Sequence, residues 1–507
     1  MGINDLLKDL NRQKATARTP ARQTPHVIQI GFDWGTSNSK CVYRDLSKNR
    51  AFVYTYRYNN TDRFLVSSTI VFRDNTFSLN TSPSQYPAHG LWNLKLALAA
   101  ISRGDSTSPA LARFNQLAHL TPGTEEQKRF VRACAVFYLS RTLQHIRFAI
   151  MEKYGDFGSH PGDEMYVTMA IPVRDISATA TKQVFNDVLG QAWALACQER
   201  RLESSIARSQ MEREASHVRV PQDLVYHVYP EVSANIQALR NSPNVSLNDT
   251  RIYLFTDVGS GTVDQCCFTF SSRKRRKGER NNFLAAQVIP LGSGVIEQVC
   301  HKRSPATSLE TWQRYKEQGL FNKLLHNVIV HLEPRLGEIF MSSTLRELQN
   351  HLYDNESVCS ADSMRRNLHV VFGGGGNMRM PYQSAVLKTL GAFLHLPTNS
   401  IGRKYGTWAD RVIHLTMPED IVLTAQQQMW MKRLYVAYGL SFLYEDLPSC
   451  LVPQETALHK KNPLRVLQPA ARKAASLHRP QEHREEVCPF CRGQNPNCLH
   501  CDGKDVV

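Results

Sequence analysis

The sequence predicts an α/β protein with more than one domain, and three observations lead to this prediction. From about residue 27 to residue 447, runs rich in β-branched and aromatic residues alternate with helix-like segments. Two of these segments, 127–153 and 178–199, carry apolar residues at the i, i+3 and i+4 spacing of helices that bury one face. A chain of 507 residues also exceeds what one hydrophobic core usually holds, so roughly two to four domains are expected.

The composition is that of a folded globular protein, with 42% hydrophobic and 21% charged residues. No apolar run approaches the roughly 20 residues that cross a bilayer, and the first 26 residues lack a secretory pattern. We therefore expect a cytoplasmic protein with no membrane partner. The net charge of +16 suits a nucleic-acid partner, bound through a disordered basic arm (residues 1–26) and the run from Arg273 to Arg280. A solvated arm and loop are the alternative interpretation.

A glycine-containing turn follows the first predicted strand, in the stretch GFDWGTSNSK that begins at Gly31. Glycine lets backbone N–H groups approach an anion closely, and hydroxyl groups add donors; those of this turn are Gly35, Thr36 and Ser37. Asp33 alone would repel a phosphate, but it suits a site in which hydrated Mg²⁺ lies between them. Taken singly, the stretch is equally compatible with an ordinary hairpin.

The same pattern recurs in RIYLFTDVGSGTVDQCCFTF, which begins at Arg251. A predicted strand leads to Asp257, and a second strand carries Asp264. The turn between them consists of Gly259, Ser260, Gly261 and Thr262. Two such hairpins that face each other from two lobes can clamp a triphosphate and a metal ion, with backbone amides as the main ligands.

A third glycine segment follows a predicted strand in LHVVFGGGGNMRMP, which begins at Leu368. Glycines in this position admit a flat base or ribose without a side-chain clash, and Arg379 could lie against the ring. The candidate contacts are Gly374, Gly375, Gly376 and Arg379. A tight strand–helix connection is the alternative interpretation.

In this order, the three motifs resemble the phosphate-1, phosphate-2 and adenosine motifs of the actin-like ATPase superfamily, specifically its heat-shock-70 (DnaK-like) chaperone branch. Further segments agree in order over residues 27–447: LVSSTIVFRDN, LWNLKLAL, YVTMAIPVRDISATATKQVFNDVLGQA, VYPEVSANIQAL and RLYVAYGLSFL. The second of these matches the family segment that carries a catalytic lysine, here Lys95. The fourth matches the family glutamate with Glu231.

The resemblance implies a two-lobed actin-like ATPase (duplicated ribonuclease-H-like) fold, with lobe I at 27–245 and lobe II with a closing helix at 246–450. It implies ATP or ADP with Mg²⁺ in the cleft, and slow hydrolysis that times a conformational change. Asp33 and Asp257 would hold the hydrated metal, and the turn residues would contact phosphates. The implied catalytic residues are Lys95, Glu231, Asp257, Thr262 and Asp264. Outside the family frame, Lys95 would be an ordinary helix lysine and Glu231 a helix N-terminal charge.

The chain also departs from the family pattern. The helix motif ERAKRxLS, which packs on the adenine, has no counterpart in residues 305–345, so base specificity is left open. Four glycines replace the usual two in the third motif. The acidic interdomain linker and the β-sandwich substrate domain are missing, so ordinary foldase activity does not follow.

The stretch CPFCRGQNPNCLHCDG near the C-terminus concentrates four of the twelve cysteines; the scattered eight are predicted to be small core residues. Its two C-x2-C pairs have the spacing of a tetrahedral Zn²⁺ site, with Cys488, Cys491, Cys498 and Cys501 as ligands. A redox dithiol is the alternative. The unit, residues 486–507, resembles J-protein zinc repeats and short zinc ribbons, and a proline-containing linker, residues 451–485, precedes it. We expect it to dock a protein or nucleic-acid partner.

These expectations define one leading function and two alternatives. The leading hypothesis is an ATP-hydrolysing, chaperone-like conformational switch that recruits a partner through its zinc ribbon. The first alternative is a small-molecule kinase on the same fold, although neither a substrate-binding insertion nor a catalytic base is apparent. The second is a scaffold that binds nucleotide without hydrolysing it.

Overall fold

A computed structural model describes residues 24–58, 61–80, 86–172, 179–245, 251–271, 280–320, 322–348, 367–376, 381–393 and 409–451. This part of the chain is a mixed α/β structure, as the sequence predicts. The two helices predicted at 127–153 and 178–199 are observed at Glu125–Lys153 and Thr179–Ala196. None of the described helices is both long enough and apolar enough to cross a membrane.

The strands of the described residues are β1 (Val27–Asp33), β2 (Asn38–Asp45), β3 (Arg50–Val53), β4 (Tyr56–Tyr58), β5 (Thr61–Arg63), β6 (Val66–Ser67), β7 (Ile70–Arg73), β8 (Thr76–Leu79), β9 (Gly90–Leu91), β10 (Glu164–Ile171), β11 (Ser205–Ala207), β12 (Tyr226–Pro230), β13 (Ile252–Val258), β14 (Val263–Ser271), β15 (Arg280–Ile289), β16 (Leu368–Gly373), β17 (Val412–Ile413), β18 (Ile421–Val422) and β19 (Ser449–Leu451). The helices are α1 (Leu94–Ser102), α2 (Ala112–Ala118), α3 (Glu125–Lys153), α4 (Thr179–Ala196), α5 (Arg208–His217), α6 (Glu231–Arg240), α7 (Gly294–Arg303), α8 (Leu309–Gln318), α9 (Lys323–Phe340), α10 (Tyr382–Phe393), α11 (Ala425–Met429) and α12 (Tyr435–Leu440).

Two large sheets share one strand order. In the first sheet, β1 pairs antiparallel with β2 and β2 with β3, while β10 and β12 add parallel strands on the other side of β1. In the second sheet, β13 takes the place of β1, β14 and β15 those of β2 and β3, and β16 and β17 those of β10 and β12. Each sheet gains one short parallel strand on its antiparallel side, β18 beside β3 and β19 beside β15.

A hydrophobic cluster joins the two sheets. It contains Val42 of the first sheet, Phe255 and Phe268 of the second, Ile236 of α6 and Tyr438 of α12, all fully buried. Separate clusters lie around α3 and α4 beside the first sheet, and around α9 and α10 beside the second. The predicted core role of the scattered cysteines is confirmed at five positions, Cys41, Cys134, Cys266, Cys267 and Cys300, whereas Cys197 and Cys450 are only half-buried and Cys359 lies outside the described residues.

The short helix α12 packs against both β1 and α6, and glycine makes both contacts possible. A Cβ atom at Gly31 of β1 would lie 2.2 Å from the backbone oxygen of Ala437. A Cβ atom at Gly439 would lie 1.9 Å from the backbone oxygen of Ala234 in α6. Gly31 therefore permits the close packing of α12 on β1.

The Gly31 contact predicts a large cost for one added methyl group. Gly31→Ala should lower the free energy of unfolding by about 3 kcal/mol, because backbone atoms of α12 cannot move aside as a side chain can. The matched control is Gly155→Ala, where the nearest atom to an added Cβ is 4.0 Å away. Urea unfolding of both variants checks the prediction, and equal midpoints would contradict it.

Candidate functional site

One cavity of about 1390 Å³ lies where the two sheets meet. Every predicted nucleotide-site residue that the structure describes lines it: Asp33, Gly35, Thr36, Ser37, Lys95, Glu231, Asp257, Gly259, Ser260, Gly261, Thr262, Asp264, Gly374, Gly375 and Gly376. Arg379, the four zinc-ligand cysteines and most of the run that begins at Arg273 lie outside the described residues. The residues that the sequence analysis assigned to one site therefore line one cavity, and they come from both sheets.

The turn after β1 and the turn after β13 touch each other. A Cβ atom at Gly261 would lie 2.9 Å from the methyl carbon of Thr36, so a larger residue at Gly261 would force the turns apart. Within the described chain, no acceptor takes a hydrogen bond from the backbone N–H groups of Thr36, Ser37, Ser260 or Gly261. The two turns therefore bring unused backbone donors to one place, which is the requirement for an anion site made from backbone.

A further glycine-containing segment, residues 290–294, supports the second turn. The N–H groups of Gly292, Ser293 and Gly294 donate to the carbonyl oxygens of Gly261, Gly259 and Ser260, at 3.2, 2.9 and 2.7 Å. These bonds use the carbonyl groups of the turn, whose N–H groups at Ser260 and Gly261 donate to no acceptor in the described chain. The sequence analysis missed this segment; its Gly-Ser-Gly between β15 and α7 is the signal that could have revealed it.

Two lysines pair with two of the four carboxyl groups around the turns. Lys95, in the first turn of α1, donates from Nζ to Glu231 Oε2 at 2.6 Å, and Lys40 donates from Nζ to Asp33 Oδ2. The side chain of Asp33 is 1% exposed, and its second oxygen, Oδ1, is buried without a hydrogen-bond partner. Burial lowers the pKa of Lys95, but the carboxylates of Glu231 and Asp33 outweigh burial and raise it overall. Lys95 therefore stays charged.

The other two carboxyl groups have neutral partners. Asn235 donates from Nδ2 to Asp257 Oδ2 at 2.5 Å, and Thr262 donates from Oγ1 to Asp264 Oδ2 at 3.1 Å. Burial, reinforced by the charge of Glu231, raises the pKa of Asp257 to about 7, although the Asn235 hydrogen bond opposes the shift. The same two causes raise the pKa of Asp264 well above its usual value. Both aspartates therefore hold a proton more tightly than exposed aspartates do.

Lys40 is a site residue that the sequence analysis missed. It lines the cavity and lies opposite Asp33 in the antiparallel pairing of β1 and β2. The sequence contained a signal for Lys40. Asp33 ends the first strand of a hairpin, and Lys40 lies near the start of the second strand, where cross-strand pairing can bring it opposite Asp33.

The third predicted glycine segment lies beside the second turn, as expected. Gly374 has φ of +78°, and a Cβ atom there would lie 2.1 Å from Asp257 Oδ1. A Cβ atom at the next residue, Gly375, would lie 2.4 Å from Nε of Arg433. Arg433 and its neighbour Trp430 also line the cavity, and no motif in the sequence had pointed to them.

Among the described residues, no group of three or more histidine, cysteine, aspartate or glutamate side chains is arranged to hold a metal ion by itself. Among the described residues that line the cavity, the buried side-chain oxygens without a hydrogen-bond partner are carboxyl oxygens, Oδ1 of Asp33 and Oδ1 of Asp264. Such oxygens suit Mg²⁺, which usually takes only one or two carboxylates and completes its shell with water and phosphate oxygens.

Comparison with known proteins leaves the geometry as the main guide to function. No protein-family model matches the sequence, and no curated protein is detectably similar to it.

The Asp33–Lys40 pair predicts a non-additive effect on stability. Lys40→Met should lower the free energy of unfolding by about 3 kcal/mol, because it leaves Asp33 buried without its counter-charge. Adding Asp33→Asn should recover most of the loss. Lys128→Met, which removes an exposed lysine beside Glu125, should leave the urea midpoint unchanged. If the double variant is as unstable as Lys40→Met alone, the pair does not carry the effect.

The raised pKa of Asp257 predicts how the stability of the ligand-free protein depends on pH. As pH rises from about 4 to about 7, the unfolded chain releases this proton while the folded chain retains it, so stability falls across that window. Asp257→Asn should remove about 2–3 kcal/mol of the loss between pH 5 and pH 8, with Asp264 still contributing in the same direction.

Urea unfolding without divalent cations measures this difference at the two pH values. The exposed Asp446→Asn variant is the control and should keep the wild-type dependence. An unchanged dependence in Asp257→Asn would show that its carboxyl group is not protonated in the folded chain.

Proposed function

We propose that the chain is a nucleotide-binding ATPase of the actin-like kind, in which closure of two lobes around ATP serves as a conformational switch. One observation carries the proposal: two strand–turn–strand hairpins, one from each sheet, touch at Gly261 and Thr36 and present unused backbone donors to a shared cavity. A single hairpin of this type is common, but two that face each other make a clamp for an anion longer than one phosphate group.

The proposed fold rests on duplication. The common strand order of the two sheets is what a duplicated ribonuclease-H-like fold requires, with the first and second sheets as lobes I and II. The helices α6, which follows β12, and α12, which follows α11, pack together between the sheets and would be the connection through which closure is transmitted.

For the phosphates, the proposed ligands are the backbone donors of both turns and the ammonium groups of Lys40 and Lys95. Asp33 and Asp257 would hold hydrated Mg²⁺, whose chemistry is to neutralise phosphate charge and fix phosphate oxygens in place. The fit is good, because Oδ1 of Asp33 is a buried carboxylate oxygen without a partner and Gly374 gives Asp257 backbone neighbours instead of side chains.

The chain's own side chains supply the remaining steps of hydrolysis. Lys95 Nζ can donate to the terminal phosphate, and its bond to Glu231 holds both side chains in fixed positions. Glu231 Oε1 can accept from a water molecule and orient it for attack. Asp264, which accepts a hydrogen bond from Thr262, would take up the proton of that water through its unpartnered Oδ1 when its carboxyl group is ionised.

Recruitment of a partner stays part of the proposal. We assign it to the zinc ribbon of Cys488, Cys491, Cys498 and Cys501, with a protein partner as the leading candidate. Nucleic acid would bind through the basic arm and the run that begins at Arg273, which connects β14 to β15. Cytoplasmic location belongs to the same proposal.

Phosphate release from ATP tests the function directly. The full chain with Mg²⁺ should release phosphate slowly, and Lys95→Met or Thr262→Ala should reduce the rate roughly hundredfold. Lys128→Met, an exposed lysine on α3, is the matched control and should keep the wild-type rate.

Each other outcome identifies a different function. Failure of the wild type to bind nucleotide would overturn the proposal. Binding with equal turnover in wild type and Lys95→Met would indicate a non-hydrolysing scaffold. Transfer of the phosphate to a small molecule in place of water would indicate a kinase.

A further inference from the structure

Arg433 lines the cavity with a guanidinium group that no described residue satisfies. Its Cζ atom lies 4.1 Å from the centre of the Trp430 ring, and its Nε is buried without an acceptor beside the backbone of Gly375. In the described part of the chain it donates no side-chain hydrogen bond and forms no ion pair. The terminal amino groups are therefore the donors left for a ligand.

The position of this guanidinium is fixed by the chain around it. Thr424 caps α11 in a reciprocal pair with Gln427, and the N–H of Trp430 then donates to Gln427 O at 3.1 Å. The N–H of Arg433 in turn donates to Trp430 O at 2.8 Å. The side chain stacks on a ring held by these turns, so little conformational entropy remains to be lost when it binds a ligand.

The charges near Arg433 also favour a ligand with acceptor atoms. Lys432 lines the same part of the cavity, and its carbonyl oxygen accepts from the N–H of Gly374 at 3.0 Å. Burial lowers the pKa of Arg433, and among the described residues the charge of Glu317 opposes this shift without reversing it. An arginine that is partly desolvated and lacks a counter-ion gains most from a ligand that supplies hydrogen-bond acceptors.

We propose that Arg433 is the residue that binds the nucleoside part of the nucleotide, by donating hydrogen bonds to acceptor atoms of the base or ribose. This inference rests on the proposed function, because it takes the phosphates to lie at the two turns. Gly374 lies against Asp257 at the phosphate end, and Gly375 lies against Arg433, so the glycine segment spans the step from one end to the other. Arg433 would thereby contact the base or ribose, a role for which the sequence contains no recognised motif.

Affinity for three probes tests the assignment: ATP, GTP and inorganic tripolyphosphate, each with Mg²⁺, measured by titration calorimetry on the full chain. Arg433→Met should weaken binding of ATP, GTP or both by roughly ten- to hundredfold and leave tripolyphosphate binding unchanged. A loss for one nucleotide alone would identify a base acceptor, and a loss for both a ribose acceptor. The matched control is Arg346→Met, an exposed arginine at the end of the α9 region.

Arg433→Lys provides a milder variant that keeps the charge but loses the planar fork, and it should recover only part of the affinity. Equal weakening of all three probes would place Arg433 at the phosphates and overturn the inference, as would unchanged affinity for all three. If the wild type binds tripolyphosphate and neither nucleotide, the inference also fails. Failure of the wild type to bind any probe would instead overturn the proposed function itself.

Discussion

The crossing of α12 with β1 and α6 is the constraint on which the arrangement of the cavity depends. β1 ends at Asp33, α6 begins at Glu231, and α12 begins directly after the segment that carries Arg433. Backbone meets backbone at both glycines of the crossing, so no rotamer change can adjust the approach of these elements. The three residues are consequently held near one another, although Asp33 and Arg433 lie 400 residues apart in the chain.

The buried carboxyl groups of the cavity are costly to the fold, which distinguishes them from a structural ion-pair network. A network that only stabilises satisfies its oxygens, whereas Oδ1 of Asp33 and Oδ1 of Asp264 are buried without partners. Protonation reduces the cost at Asp257 and Asp264, whose pKa values are raised by burial, and lysines reduce it at Asp33 and Glu231. Several such costly carboxyl groups around one cavity indicate a binding site.

The sequence predicted the parts of the site that local patterns specify. Asp33 and Asp257 each end a strand and precede a glycine-containing turn, and this strand–turn–strand pattern could be recognised without the fold. Lys40 could have been found from the same hairpin, by pairing residues across it. Arg433 could not, because its relation to Gly375 comes from the tertiary contact between a connection after α11 and the end of β16. Likewise, the pairing of β18 with β3 joins residues far apart in sequence, and two-residue strands leave no pattern to detect.

Charge balance couples the two ligands that the proposal assigns to the cavity. Lys40 and Lys95 are already paired with carboxylates, so an incoming polyphosphate would meet four carboxyl groups at the turns and, among the residues described there, no unpaired ammonium group. A divalent cation bound at Asp33 would release Lys40 to the phosphates, and its charge would also favour the ionised form of Asp257. The cation would therefore add its own charge and free the charge of Lys40, whereas a phosphate that bound without the cation would have to break a buried ion pair. Nucleotide and cation are thus expected to bind as one unit, with Asp33 as the residue at which the exchange takes place.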